Sequence, residues 1–352
     1  MPTPRDIGLA FHAAQARRAR AVANEIQRLW SQLDRRDFSA SWNSSVGPRV
    51  IRALTVGQLA SAAAADEYVD AVTEAEGAGG ERYARVRPEG FAGLAADGRG
   101  LDSLMYLSVI TSKTRVGAGQ SVDDALMAGL QQALRLGTSE VTQAGRGAIG
   151  SSMAGKRTIQ GYVRVVQPPA CSRCVILAGK EYGWNTGFQR HPKCDCIHLP
   201  TTLIARNQHR GRLGADGFSP TTRPGSGPSG FLDPRAYFNT LSRAEQDRVF
   251  TAAGARAIRE GGDMGQIVNA RRGMYTSAGP GGRALLTRVG MRRGSNYYNL
   301  ERRRAISRGE VPADIGRRFN VRTPRLMPEE IFRLAASRDE AVAMLRRFGY
   351  LR

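Results

Sequence analysis

The chain is poor in the side chains that carry most enzyme chemistry: of its 352 residues only four are cysteine and four are histidine. The four cysteines, Cys171, Cys174, Cys194 and Cys196, are crowded together with His191 and His198, so no thiol outside the cluster remains to act as a protease nucleophile. Only His12 and His209 stand apart, and no Asp-His doublet of a His-Asn-His nuclease occurs. There is no H-E-x-x-H, no G-x-S-x-G elbow and no phosphate-binding G-x-x-x-x-G-K-[ST]. The stretch GSGPSG has the composition of a linker, not of a nucleophile turn. Long apolar runs are absent too, which excludes a membrane-spanning helix by length. Arginines interrupt the N-terminal MPTPRDIGLAFHAAQARRARA, which is therefore not read as a signal peptide. We expect a soluble protein, cytoplasmic when made and making no membrane contact.

Lysine is nearly missing as well: Lys113, Lys156, Lys180 and Lys193 are the only ones, yet the net charge is +21. Arginine carries that excess, and it clamps phosphates through paired hydrogen bonds. A GC-rich genome would favour arginine over lysine in the same way, but it would not leave the acidic residues so outnumbered. A polyanion is the expected partner, with double-stranded DNA the obvious one. The excess is concentrated after residue 200, where Arg292, Arg293, Arg302, Arg303, Arg304, Arg308, Arg317 and Arg318 form the expected nucleic-acid-binding set.

The cysteine cluster reads CSRCVILAGKEYGWNTGFQRHPKCDCIH. Cys171 and Cys174 make a C-x-x-C pair whose thiolates can reach one zinc ion about 2.3 Å away. The second half offers His191, Cys194 and Cys196, with His198 in reserve. The expected set is Cys171, Cys174 and His191 with either Cys194 or Cys196, since an extended backbone points both of those cysteines to one face. Such a closed site is structural, without catalytic residues, and would staple a lobe too small to hold itself by core burial. Disulfides between the halves, or unligated thiols, are the competing readings; assembly in a reducing cytosol favours the metal. Tyr182, Trp184 and Phe188 are expected to form the lobe's small core.

Along the chain, Val22, Ile26, Leu29 and Leu33 recur at helical spacing and predict a helix over 5–36. A second helical stretch covers 48–75, broken at Thr55 to Gly57, and a glycine-rich 76–100 predicts turns. Helices resume near Leu101. Ser121 with Asp124 and then Gly137 bracket a helix over 122–136, followed by another from Thr138 to Met153. Tyr162 to Val166 predicts a strand. Residues 205–230 have linker composition. Beyond it, Ser242 with Glu245 opens a helix over 243–259, ended by Gly261 and Gly262, and 266–272 is a short helix. The stretch 275–325 shows little periodicity and reads as irregular, and a last helix pair spans 328–336 and 338–348. The expected fold class is mainly α with a small zinc-stapled β element, hence α+β, in four parts: 1–155 a helical domain, 156–204 the zinc lobe, 205–230 a flexible linker and 231–352 an Arg-rich helical region.

The run YVRVVQPPACSRCVILAGKEYGWNTGFQRHPKCDCIHLP resembles the close of the phage Mu F-like (MuF) minor head protein domain, also called the phage head morphogenesis domain. The shared pattern is a strand, a C-x-x-C, a glycine and aromatic at AGKEY, then an HPxCxC close and a proline. LTVGQLASAAAADEYVDAV upstream and YFNTLSRAEQDRVFTAAGARAIREGGDMGQIVNARRGM downstream are similar to the versions found in tailed phages of actinobacteria. Asp195 stands where that family often carries a basic residue, so no nucleic-acid contact is expected there. The resemblance implies a low-copy minor capsid protein of the virion interior, needed for head assembly or DNA delivery, with the portal protein and the major capsid or scaffold proteins as partners. The expectation is therefore a non-enzymatic structural protein, and the alternative is a capsid maturation protease or DNA-acting hydrolase.

Overall fold

Thr3 starts the first helix, α1 (Pro4–Trp30), through a reciprocal cap: its hydroxyl accepts from the Asp6 amide while the Asp6 carboxylate accepts from the Thr3 amide. The computed structural model describes residues 2–185, 196–202, 232–279 and 282–351. The expected linker over 205–230 lies outside the described residues, as do Phe188, His191, Cys194 and His209. What is described is mainly helical with two small antiparallel sheets, an α+β protein. It divides into two compact units, Met1–Gln167 with Gly179–Phe231, and Pro168–Ala178 with Leu232–Arg352.

The first unit is built on α1, α2 (Gly47–Ala63), α3 (Ala65–Ala75), α4 (Leu101–Gly117) and α5 (Val122–Ala154). Val22, Ile26, Leu29 and Leu33 are buried as their spacing predicts, packed with Leu54, Met105 and Val141. Helix α1 nevertheless ends at Trp30, short of the expected 36: the Trp30 indole N–H donates to the Leu126 carbonyl at 3.1 Å, and the chain turns into a short helix at Phe38–Ser41 capped by Asp37.

Two glycines expected to interrupt helices do not. Helix α2 runs unbroken through Thr55–Gly57 and the interruption comes at Ala64. A Cβ on Gly57 would lie 2.5 Å from Val22 Cγ2 and 3.1 Å from Val141 Cγ2, so the residue lets three helices meet. Gly137 sits inside α5, a single 33-residue helix, where a Cβ would lie 2.4 Å from Ile26 Cδ1. Helix packing at 8–10 Å selects small residues at such contacts, and this outweighs the propensity cost of glycine.

The segment between α3 and α4 holds only a single 3-10 turn at Pro88–Phe91 and a bridge from Leu94 to Gly100. It is tied down by polar side chains. Gln58 accepts from the Gly93 amide and donates to the Leu94 carbonyl, each at 2.9 Å. Arg82 bridges Asp66 at 3.0 Å and Asp70 at 2.8 Å, and Lys156 reaches Asp70 at 2.9 Å and Thr73 at 2.7 Å. Both cations are shielded, at 4% and 3% side-chain exposure.

Strand β1 (Gly161–Val166) is the centre of an antiparallel sheet between β2 (Glu181–Gly183) and β3 (Cys196–Thr201), with Val166 opposite Cys196 and Gly161 opposite Thr201. Every residue of β1 and β3 is buried. The sheet packs its Val163, Val165 and Leu199 with Val69, Val72 and Ile149 of the helices. Tyr182 stacks on Tyr162 at 5.2 Å as the expected small core requires, whereas Trp184 is 47% exposed and is not part of it.

In the second unit, α6 (Pro234–Thr240) is followed by α7 (Arg243–Phe250), α8 (Ala252–Arg259) and α9 (Met264–Ala270). The Ser242–Glu245 capping box forms as expected, but the predicted 243–259 helix is split at Thr251, which sits at φ 68° and caps α8 through its hydroxyl. The stretch expected to be irregular is ordered. Strands β4 (Met274–Gly279) and β5 (Gly282–Thr287) form a hairpin, α10 (Asn296–Ser307) follows, and β6 (Arg325–Leu326) completes a β4-β5-β6 sheet. Helices α11 (Pro328–Leu334) and α12 (Arg338–Arg347) end the chain close to prediction, α12 capped by Ser337 and stopped at Gly349 with φ 71°.

Candidate functional site

Cys171 and Cys174 share one turn. Cys171 caps the short helix Ser172–Val175, its sulfur accepting the Cys174 amide at 3.4 Å. Cys174 is buried and Cys171 half-buried, both in the second unit; Arg173 between them donates to Asn269 at 2.9 Å. Cys196 opens β3 in the first unit and is buried, its carbonyl accepting from Arg146 at 3.2 Å. His198, the reserve ligand, is also on β3; its ring lies 4.3 Å from that of Tyr162 and its carbonyl accepts from the Tyr68 hydroxyl at 2.8 Å. Among the described residues no group of three or more His, Cys, Asp or Glu side chains converges to hold a metal. His191 and Cys194 lie outside the described residues.

The expected arginine set lies on and around α10. Ser295 caps this helix, and Tyr297 and Tyr298 anchor it: both are buried, and their hydroxyls donate to the Thr323 carbonyl at 3.1 Å and the Phe319 carbonyl at 3.0 Å. Desolvation pushes the Tyr297 hydroxyl pKa up to about 12. The anchored helix presents Arg303 and Arg308 to solvent; Arg292 and Arg293 precede it, and Arg317 and Arg318 sit in a 3-10 turn after it, all four exposed. Arg302 and Arg304 are half-buried. Arg302 donates to the Ala313 carbonyl at 3.4 Å, and Arg304 is held by Glu301 at 3.0 Å and the Arg347 carbonyl at 2.8 Å. Arg308 is paired with Glu310 at 2.7 Å, a hydrogen bond that raises its already high pKa. Six of the eight, Arg292, Arg293, Arg302, Arg303, Arg317 and Arg318, thus have no acidic partner among the described residues, and all of these but Arg302 are exposed. Over 232–352, 24 arginines stand against 12 acidic residues.

The profile of the VG15 protein family matches residues 1–210. The chain belongs to the VG15 protein family. That membership points to a phage-derived, virion-associated protein, and the match spans the helical body and the first sheet. No curated protein and no solved structure matches. No described helix is long and apolar enough to cross a membrane.

Sequence reasoning missed the buried arginines of this VG15 protein. Arg325 is completely shielded at the centre of the second unit, donating to the Phe348 carbonyl at 2.8 Å, the Val289 carbonyl at 3.1 Å and Gln266 at 3.2 Å, with its guanidinium 4.1 Å from the Tyr350 ring. Desolvation lowers its pKa, and desolvation likewise pushes the Tyr350 hydroxyl up to about 12. Arg82 plays the corresponding part in the first unit. Nothing in a linear arginine-rich sequence separates these from the solvated arginines of α10.

Proposed function

We propose that this VG15 protein is a MuF-like minor capsid protein of a tailed actinobacteriophage, acting in head morphogenesis as a structural component and not as an enzyme. It docks near the portal inside the capsid, meets the major capsid or scaffold proteins there, and contacts packaged double-stranded DNA. The observation that carries the DNA contact is the anchored α10 region with Arg292, Arg293, Arg303, Arg317 and Arg318 exposed and unpaired. Exposed guanidinium groups with no competing carboxylate are suited to phosphates, and binding would rest on counterion release without base readout. A structural zinc is part of the proposal. Cys171 and Cys174, disposed on one turn with an amide on sulfur, supply two thiolates, and the 191–196 segment supplies the rest.

The test is fluorescence anisotropy of the purified full chain with duplexes of unrelated sequence across a salt series. The expected result is one affinity for all sequences, falling steeply with salt, and a shallower slope when the five exposed, unpaired arginines are changed to glutamine. Sequence preference or an unchanged slope would overturn the placement of the contact. Incubation with plasmid DNA and with capsid protein should leave both intact; cleavage of either would establish the hydrolase or protease alternative.

A further inference from the structure

The face where α1 and α2 run side by side carries an open groove of about 540 Å³ with an apolar floor and a cationic rim. The floor consists of small side chains, Ala21 from α1 with Ala53, Gly57 and Ala60 from α2, and of Val56, which is 59% exposed. An isolated exposed valine is ordinary, but one set among alanines between two helices leaves a continuous apolar strip in water. The rim is formed by Arg18, Arg49 and Arg52. None of the three makes a close salt bridge among the described residues. Arg49 donates a hydrogen bond to the neutral Gln32 at 2.8 Å. The one acid at the rim, Glu25, is hydrogen-bonded by Arg28, which lowers its pKa, and the Arg49 charge lowers it further.

Arg18 adds an independent observation. One terminal nitrogen of its guanidinium is covered by protein yet has no hydrogen-bond acceptor among the described residues. A covered cationic donor without an acceptor is costly, and a shift of the Arg18 side chain toward a carboxylate seated in the groove would relieve it.

From this we infer that the groove is a docking surface for an acidic amphipathic helix of a partner protein, its apolar face on the alanine strip and its carboxylates on Arg18, Arg49 and Arg52. The small floor permits the close interaxial approach of helix packing. The stretch from Arg49 to Ala60 extends about 16 Å at 1.5 Å per residue, roughly three turns, enough for a helix to seat anchors at successive i, i+3, i+4 and i+7 positions. A nucleic-acid backbone would meet the arginines but leave Val56 and the alanines against phosphate, so the apolar strip argues for protein. The inference stands apart from the DNA contact proposed for α10, because the two use different residues in different units.

The test uses the full chain and a fluorescent synthetic peptide that is amphipathic when helical, with Leu and Ala on one face and Glu on the other. Comparison probes are the same peptide with Lys for Glu, a scrambled peptide of identical composition, a fluorescent fatty acid and a DNA duplex. The acidic amphipathic peptide should bind, and the Lys and scrambled peptides should bind at least about tenfold more weakly, the ratio that one lost charge-assisted contact produces. Arg49→Glu with Arg52→Glu should weaken it by about tenfold or more, and Val56→Glu independently by a similar factor. All three positions are exposed, so the variants should keep the parent melting temperature. Equal binding of the scrambled peptide, binding unaffected by either variant, or no binding would overturn the proposal. Saturable capture of the fatty acid or of DNA at this site, competing with the peptide and lost in the same variants, would also overturn it by assigning the groove to another ligand.

Discussion

Gly57→Ala separates two physical accounts of the same glycine. If Gly57 interrupted a helix, alanine there would remove a backbone-entropy cost and stabilise the protein by about 1 kcal/mol. In the structure the residue lies inside α2, and the new methyl would approach Val22 Cγ2 to 2.5 Å and Val141 Cγ2 to 3.1 Å. Both neighbours are β-branched and stiff, and Val141 is completely buried, so neither methyl can swing aside without moving a helix. Overpacking of this kind costs roughly 1–3 kcal/mol, and the separation below 3.0 Å favours the upper half of that range. Subtracting the propensity gain leaves a net loss of about 1–2 kcal/mol. For a body of this size that lowers the melting temperature by roughly 2–8 °C. Gly150→Ala is the internal control: it lies in α5 with nothing within 4 Å of its would-be Cβ, so only the propensity gain remains and the melting temperature should rise by a few degrees. Scanning calorimetry of the parent and the two variants is sufficient. A Gly57→Ala variant as stable as Gly150→Ala would refute the packing argument.

In the first unit, burial raises the Asp70 pKa, but hydrogen bonds from Arg82 and Lys156 outweigh it and hold the carboxylate below its ordinary value of 3.8. Its contribution is therefore present above that value and lost as pH falls below it, so Asp70→Asn should be destabilised by about 3 kcal/mol at neutral pH and show a flatter acid limb in melts against pH. In the second unit, Tyr297 and Tyr350 are raised to about 12, so their contribution is complete below pH 10 and lost as pH rises through 12; Tyr350→Phe should flatten the alkaline limb, and absorbance titration should show both hydroxyls ionising late. Elemental analysis of freshly reduced protein should find about one zinc per chain, lost in Cys171→Ser, and a metal-free parent would remove the zinc from the account.

The sequence was most legible where local hydrogen bonding decides structure. The side-chain caps at Ser121, Ser242 and Ser337 and the stop at Gly349 form where their residue types predict. The strand at Tyr162–Val166 and the buried face of α1 were also legible, because apolar spacing alone specifies them. Legibility failed where a residue's role is set by distant neighbours. Gly57 and Gly137 have the composition of breakers and act as contact points, since the side chains they accommodate come from other helices. Helix α10 was hidden because only Tyr297, Tyr298 and Ala305 of its twelve residues are buried, leaving no apolar repeat among its arginines. Of the expected site residues, the cysteine pair was legible as a single turn, and five of the eight chosen arginines are exposed and unpaired. The acid partners that engage Arg304 and Arg308 come from three residues back and two residues on, a pairing that charge counting does not reveal.

The central claim is that this VG15 protein resides inside the phage head. Purified virions examined by reconstruction without imposed symmetry at the portal vertex test it directly, with the chain identified by a tag and by mass spectrometry of the same particles. The account predicts density for the chain on the inner side of the capsid near the portal, in low copy and adjacent to packaged DNA. Absence of the chain from DNA-filled particles, or its location on the outer capsid surface or the tail, would contradict it.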